Sequence, residues 1–209
     1  KHDQSKKEIS YENAILKFYN IPVFYFPKFF HPDPTVKRRS GILKPVINDS
    51  NVLGGSITVP YFHVLNEESD LTMTPTVFDG GSNLLQNEFR KVNKNSNFLI
   101  NFGYARNFKS SLQNKKKNIS YFFAQFDFDL DLNNFETSKI DLDLEKVTND
   151  SFLKIYDANL LENTTSLKHI NKDLMKSELK LTLKNDQYNI TTGFSSDENM
   201  QKNKNDKYQ

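Results

Sequence analysis

Tyr121-Phe122-Phe123-Ala124-Gln125-Phe126-Asp127-Phe128-Asp129-Leu130-Asp131-Leu132 alternates without a break. Phe122, Ala124, Phe126, Phe128, Leu130 and Leu132 share one parity; Tyr121, Phe123, Gln125, Asp127, Asp129 and Asp131 share the other. Successive side chains of an extended chain point to opposite faces, so the stretch reads as one long strand with a greasy face and a wet face.

The same pattern recurs on both sides of it. Ile140, Leu142 and Leu144 interleave with Asp141, Asp143 and Glu145, and Leu179, Leu181 and Leu183 with Lys180, Thr182 and Lys184. Phe98, Ile100, Phe102 and Tyr104 alternate with Asn101 and Gly103, and Leu71, Met73, Pro75 and Val77 with Thr72, Thr74 and Thr76. Polar turn clusters such as Asn66-Glu67-Glu68-Ser69-Asp70 and Asp79-Gly80-Gly81-Ser82-Asn83 separate the runs. Nine strands are expected, at roughly 39–48, 54–65, 70–79, 83–94, 97–108, 119–132, 138–148, 174–185 and 188–196. They are about ten residues long where an ordinary strand has about 5–6, and a tilted strand crossing a membrane needs about 9–11. Short connections follow the fourth, sixth and eighth strands and long polar ones follow the fifth and seventh, an asymmetry of outer-membrane barrels, from which the short loop after the third strand departs. The alternative is a soluble antiparallel sandwich with one solvated face.

Composition narrows the chemistry. The chain has 209 residues, no Cys, four His and a formal charge of +2. Thiolate metal sites and thiol nucleophiles are excluded from this segment, and the near balance of charge gives no reason to expect a nucleic-acid partner. The His residues are scattered, so no metal site is indicated, and no nucleophile constellation, phosphate loop or dinucleotide fingerprint is present. No catalytic residue and no cofactor are expected: the reading is not of an enzyme. Asp127, Asp129 and Asp131 begin like a calcium loop, but Leu132 and Ser138 stand where Gly and Glu are required. These aspartates, with Asp141 and Asp143, are expected to face water in a lumen. Lys115-Lys116-Lys117 reads as a solvated loop tip.

The beginning of the chain reads differently. It opens on Lys1-His2-Asp3, as a processed chain or internal fragment would. Two short strands, Ser10 to Tyr19 and Val23 to Phe26, precede Pro27, Pro32 and Pro34, an irregular link with a domain boundary near Lys37.

Ile21-Pro22-Val23-Phe24-Tyr25-Phe26-Pro27, His31-Pro32-Asp33 and Arg38-Arg39-Ser40-Gly41-Ile42-Leu43-Lys44-Pro45 are followed by Val59-Pro60-Tyr61-Phe62, Leu71-Thr72-Met73-Thr74-Pro75 and Asn87-Glu88-Phe89-Arg90. In order, spacing and residue type this series resembles the LPS-assembly protein LptD family, also called organic solvent tolerance proteins, from about residue 12 to 108. Beyond residue 119 only the alternation continues it.

The resemblance implies an all-β chain: residues 1–38 as the last strands of a periplasmic β-jellyroll and a Pro-rich link, and residues 39–209 as the first part of a large outer-membrane β-barrel. Pro32, Arg38, Arg39, Ser40 and Gly41 fall at the family's jellyroll–barrel junction, and Pro45 and Pro60 match its lateral-gate prolines. It implies lipopolysaccharide as cargo, delivered to the outer leaflet, with the plug lipoprotein LptE and the periplasmic LptA bridge as partners. The implied location is the outer membrane, with the N-terminal residues in the periplasm. A passive porin-like channel would need the barrel but neither the junction nor the seam prolines. Pro75, in the third strand, reads as a bulge former.

Overall fold

The computed structural model describes residues 2–3, 8–18, 20–32, 38–51, 53–109, 116–149, 152–156 and 174–200. The chain divides into two compact units, Lys1–Gly41 and Ile42–Gln209. Lys37, Pro34 and Lys115 lie outside the described residues.

The first unit is an antiparallel sheet of β1 (His2–Asp3), β2 (Glu8–Phe18) and β3 (Ile21–Pro32), in that order. Here the sequence expectation needs correction, because β3 runs on through Pro27 to Pro32 instead of giving way to an irregular link. The reason is its place in the sheet. Among the described residues β3 pairs only with β2, and an edge strand tolerates a residue with no N–H to offer. The ladder keeps its register past Pro27 and drops the pair that would face it. Pairing passes from Glu12↔Lys28 to Ala14↔Phe26, and Asn13 between them turns to a φ of 56°. The Tyr25 hydroxyl donates to Asn13 Oδ1 at 2.6 Å.

The second unit is a single 11-stranded sheet. Its strands are β4 (Gly41–Ile42), β5 (Val46–Ser50), β6 (Gly54–Thr58), β7 (Tyr61–Val64), β8 (Ser69–Phe78), β9 (Asn83–Asn93), β10 (Ser96–Lys109), β11 (Lys116–Asp129), β12 (Thr137–Val147), β13 (Leu174–Lys184) and β14 (Asn189–Asn199). One helical turn, α1 (Phe152–Ile155), lies between β12 and β13. The order is β14-β13-β12-β11-β10-β9-β8-β6-β5, with β4 on β7 and β7 on β8. From β8 onward each strand pairs antiparallel with the next in sequence. This is a meander, the topology that hairpin turns and alternating strands specify. Among the described residues β4 and β5 together form one edge of the sheet and β14 the other.

Two local differences from the sequence reading have plain causes. β11 stops at Asp129, although the apolar parity runs on to Leu132. Asp129 Oδ1 accepts from Asp131 N at 3.1 Å, and Asp131 takes a φ of 50°. This side-chain-to-backbone turn wins over strand continuation. Asp131 therefore stands in the turn beyond the strand, not on its wet face. At the other end Lys116 and Lys117 belong to β11, paired with Lys109 and Phe108, rather than to a loop tip.

Cross-strand rows show how the faces sort. Phe98, Phe126, Leu142, Leu179 and Phe194 lie side by side on five successive strands. Met73, Asn87, Phe102 and Phe122 do the same on four, β8 to β11. On this apolar face Phe102, Phe122, Leu144 and Leu179 are exposed, and Phe194 is 82% exposed. A sandwich would cover such a face with a second sheet; the described residues of this unit form one sheet.

Candidate functional site

The first two expected strands are each broken in two, and the breaks coincide. Residues 43–45 separate β4 from β5, and residues 59–60 separate β6 from β7. Pro45 lies in the first gap and is exposed; Pro60 lies in the second and is buried. Proline has no N–H to donate to a ladder, so each interrupts pairing where it stands. On one side of the gap Val46 lies opposite Thr58. Continuing that register would set Lys44 against Pro60, yet it is Leu43 N that donates to Pro60 O, at 2.8 Å. The edge hairpin is thus out of step by one residue across its prolines, the signature of a bulge. Ile42 and Ile47 flank the break on the edge and are 72% and 79% exposed.

Pro75 behaves differently from the bulge former expected of it. β8 passes straight through it, with Thr74↔Gln86, Pro75↔Leu85 and Thr76↔Leu84 in unbroken register. On the other side, Val59 N donates to Pro75 O at 3.1 Å. The neighbouring Thr58 and Thr76 hydroxyls meet at 2.8 Å, buried.

The polar face of the sheet is built in rows. Thr72, Glu88, Asn101 and Phe123 form one, and Thr74, Gln86, Gly103, Tyr121 and Val147 the next. Hydrogen bonds stitch them together. Gln86 Nε2 donates to the Tyr121 hydroxyl at 3.4 Å, which donates to Asn101 Oδ1 at 2.5 Å. Asn101 Nδ2 reaches Glu88 Oε2 at 3.5 Å. Arg90 Nε sits 2.8 Å from Asp70 Oδ1 and 3.8 Å from Glu88 Oε1. Gly103 makes room for this arrangement: a Cβ there would run into the Tyr121 ring. Charged and amide groups so close together are stable only when bonded to one another or to water.

Four of the five aspartates singled out in the sequence lie on β11 and β12. Asp127 is directly opposite Asp141, Asp129 opposite Lys139, and Asp143 opposite Glu178 on β13. Like charges placed opposite each other repel, and water must separate them electrostatically. Of the junction residues, Pro32 ends β3, Arg38 is exposed, Arg39 and Ser40 are half-buried, and Gly41 opens β4.

Sequence reasoning did not anticipate what happens at the end of the sheet where β10 joins β11 and β12 leads to α1. There the wet parity turns apolar. Leu84, Ala105, Ile119, Tyr121, Phe123 and Val147 are buried together with Phe152 and Tyr156 from α1 and its following residue. The Phe152 ring lies 5.2 Å from Tyr121 and 5.0 Å from Tyr156, which meets Phe78 edge-on at 5.9 Å. The available signal was the aromatic character of Tyr121 and Phe123 amid Gln125 and Asp127: aromatics on a water-facing row need a cover.

No family model matches the chain. Similar sequences were found among curated proteins. The chain is 38% identical over 77 residues to the LPS-assembly protein LptD of Polaromonas sp. strain JS666, covering 37% of this chain and 9% of that protein. It is 31% identical over 111 residues to the LPS-assembly protein LptD of Pseudoalteromonas atlantica, covering 53% and 14%. With the LPS-assembly protein LptD of Pseudoalteromonas translucida the match extends over 154 residues at 26% identity, covering 73% and 19%. The chain thus spans between 9% and 19% of the length of these relatives.

Proposed function

We propose that this chain, a segment of a member of the LPS-assembly protein LptD family, is the opening edge of an outer-membrane barrel through which lipopolysaccharide reaches the outer leaflet. The observation that carries the reading is the edge hairpin broken at Pro45 and Pro60. A closed barrel has no edge, and lipid cannot leave it sideways without parting a ladder. The least costly ladder to part is one already short of donors. Each missing backbone bond forgoes about 0.5–1.5 kcal/mol net, and an orphan carbonyl in lipid costs more.

The two faces of the sheet suit this role. The apolar rows from Phe98 to Phe194 meet acyl chains, and the aspartate rows meet a water-filled lumen wide enough for the sugars. Acyl chains leave through the seam between β5 and the closing strand of the longer protein. LptE is the plug of that lumen, and an LptA bridge feeds the jellyroll to which β1, β2 and β3 belong, on the periplasmic side. The chain's part in this is transport and assembly, with no catalytic residue.

The test is a disulfide across the seam of the full-length parent, from a cysteine on β5 to one on the closing strand. The oxidised, correctly assembled protein is expected to stop lipopolysaccharide delivery, and reduction to restore it. The double change Pro45→Ala and Pro60→Ala is expected to slow delivery without loss of assembly. Normal delivery through the oxidised seam would place the exit elsewhere.

A further inference from the structure

The hydrogen-bonding pattern around Pro75 points to a larger moving part than the closing seam alone. In an antiparallel ladder, alternate residues turn their N–H and C=O toward one neighbour and the rest toward the other. Asp79 N donates to Gly55 O, and Val59 N donates to Pro75 O. The odd-numbered residues of β6 and of the break after it therefore address β8. Val59 and Pro75 occupy one site at which two bonds would normally be exchanged. Pro75 accepts one and, having no N–H, returns none. Pro60, one residue on, addresses the opposite side, where Leu43 N reaches its oxygen, and its missing donor weakens the ladder to the edge strand. The even-numbered residues of β8 face β9, which is why that register is unbroken through Pro75.

Proline therefore removes donors on successive seams: Pro60 between the edge strand and the second, and Pro75 between the second strand and the third. What still spans the second seam at this point is Val59 N to Pro75 O, and beside it the Thr58–Thr76 hydroxyl pair. β6 keeps the pairs from Ser56↔Phe78 to Thr58↔Thr76 and β7 those from Tyr61↔Met73 to Val64↔Asp70, with the proline gap between them.

We infer that the edge hairpin Gly41–Val64 swings as a unit against β8, with Pro75 as a positioning residue of the hinge. This rests on the lateral-exit reading and adds to it which strands move. Opening the closing seam alone frees one strand edge. Tilting the whole hairpin widens the exit by the width of two strands, about 10 Å at the usual strand spacing, which a multi-chain lipid needs.

The test uses the full-length parent in membranes. Thr58 and Thr76 lie directly opposite at a non-hydrogen-bonded site, where Cα atoms stand about 4.5 Å apart, within the reach of a disulfide, about 4.4–6.8 Å. Thr58→Cys with Thr76→Cys locks β6 to β8 and leaves the closing seam untouched. The expected result is that oxidation slows lipopolysaccharide delivery at least tenfold and reduction restores it. Pro75→Ala, which returns the N–H to Val59 O, is expected to slow delivery about 2- to 10-fold, the range one backbone hydrogen bond commands, with barrel assembly unchanged. If the β6–β8 lock delivers at the reduced rate constant while a closing-seam lock stops delivery, the hinge is refuted and the lateral exit stands. If neither lock slows delivery, the lateral exit itself falls, and the hinge with it.

Discussion

Phe126 and Asp127 are neighbours in sequence and belong to opposite faces of β11. Phe126 stands in the row that runs from Phe98 to Phe194, and Asp127 faces Asp141. If the apolar face meets the bilayer, an Arg at position 126 buries a charge in hydrocarbon and an Arg at 127 does not. Phe126→Arg is expected to cost about 2–4 kcal/mol if the residue lies near mid-bilayer, and Asp127→Arg about 0–1. Unfolding titrations of the full-length protein in lipid vesicles measure both; equal costs would mean that the faces are assigned wrongly. The parity behind this prediction was fully legible, because a period of two admits no drift over a strand. What could not be read was the fate of Asp131, since the pattern of side chains continues where the backbone does not. Asp129 captures the Asp131 N–H and turns the chain, a choice made by one local hydrogen bond.

At the scale of elements, β8, β9, β10, β12 and β13 begin and end within one residue of the runs read from alternation, since polar turns bound each of them. β11 and β14 differ from theirs by up to three residues at an end. The first two runs were read as whole strands and are four short ones. Pro45 and Pro60 were visible, but whether a proline bends a strand or breaks it depends on which neighbour its missing donor addresses, and that needs the register. Pro75 shows the converse, a proline in an unbroken strand. α1 was not legible at all. Four residues carry too little periodicity, and the cover they give Tyr121 is a tertiary fact. Phe152 is fully buried, and truncating a buried Phe costs about 3–5 kcal/mol where the site cannot collapse. A single helical turn can undock at less cost than unfolding the sheet. Phe152→Ala is therefore expected to raise amide hydrogen exchange in β11 around Tyr121 while leaving the exchange of β13 and β14 and the global melting temperature little changed. A large fall in melting temperature would show that α1 holds the sheet together.

For the whole molecule, the question is what the open apolar face touches. Phe102, Phe122, Leu144, Leu179 and Phe194 are exposed on one face of the sheet. Contiguous apolar surface of that extent marks a membrane or a partner. The most direct measurement places a photo-activatable phenylalanine analogue at each position from 122 to 127, one at a time, in the parent protein in its membrane, and asks which positions form adducts with phospholipid. The account predicts adducts at 122, 124 and 126 and none at 123, 125 and 127. Adducts at both parities, or at neither, would contradict the claim that this sheet is the wall of a membrane barrel.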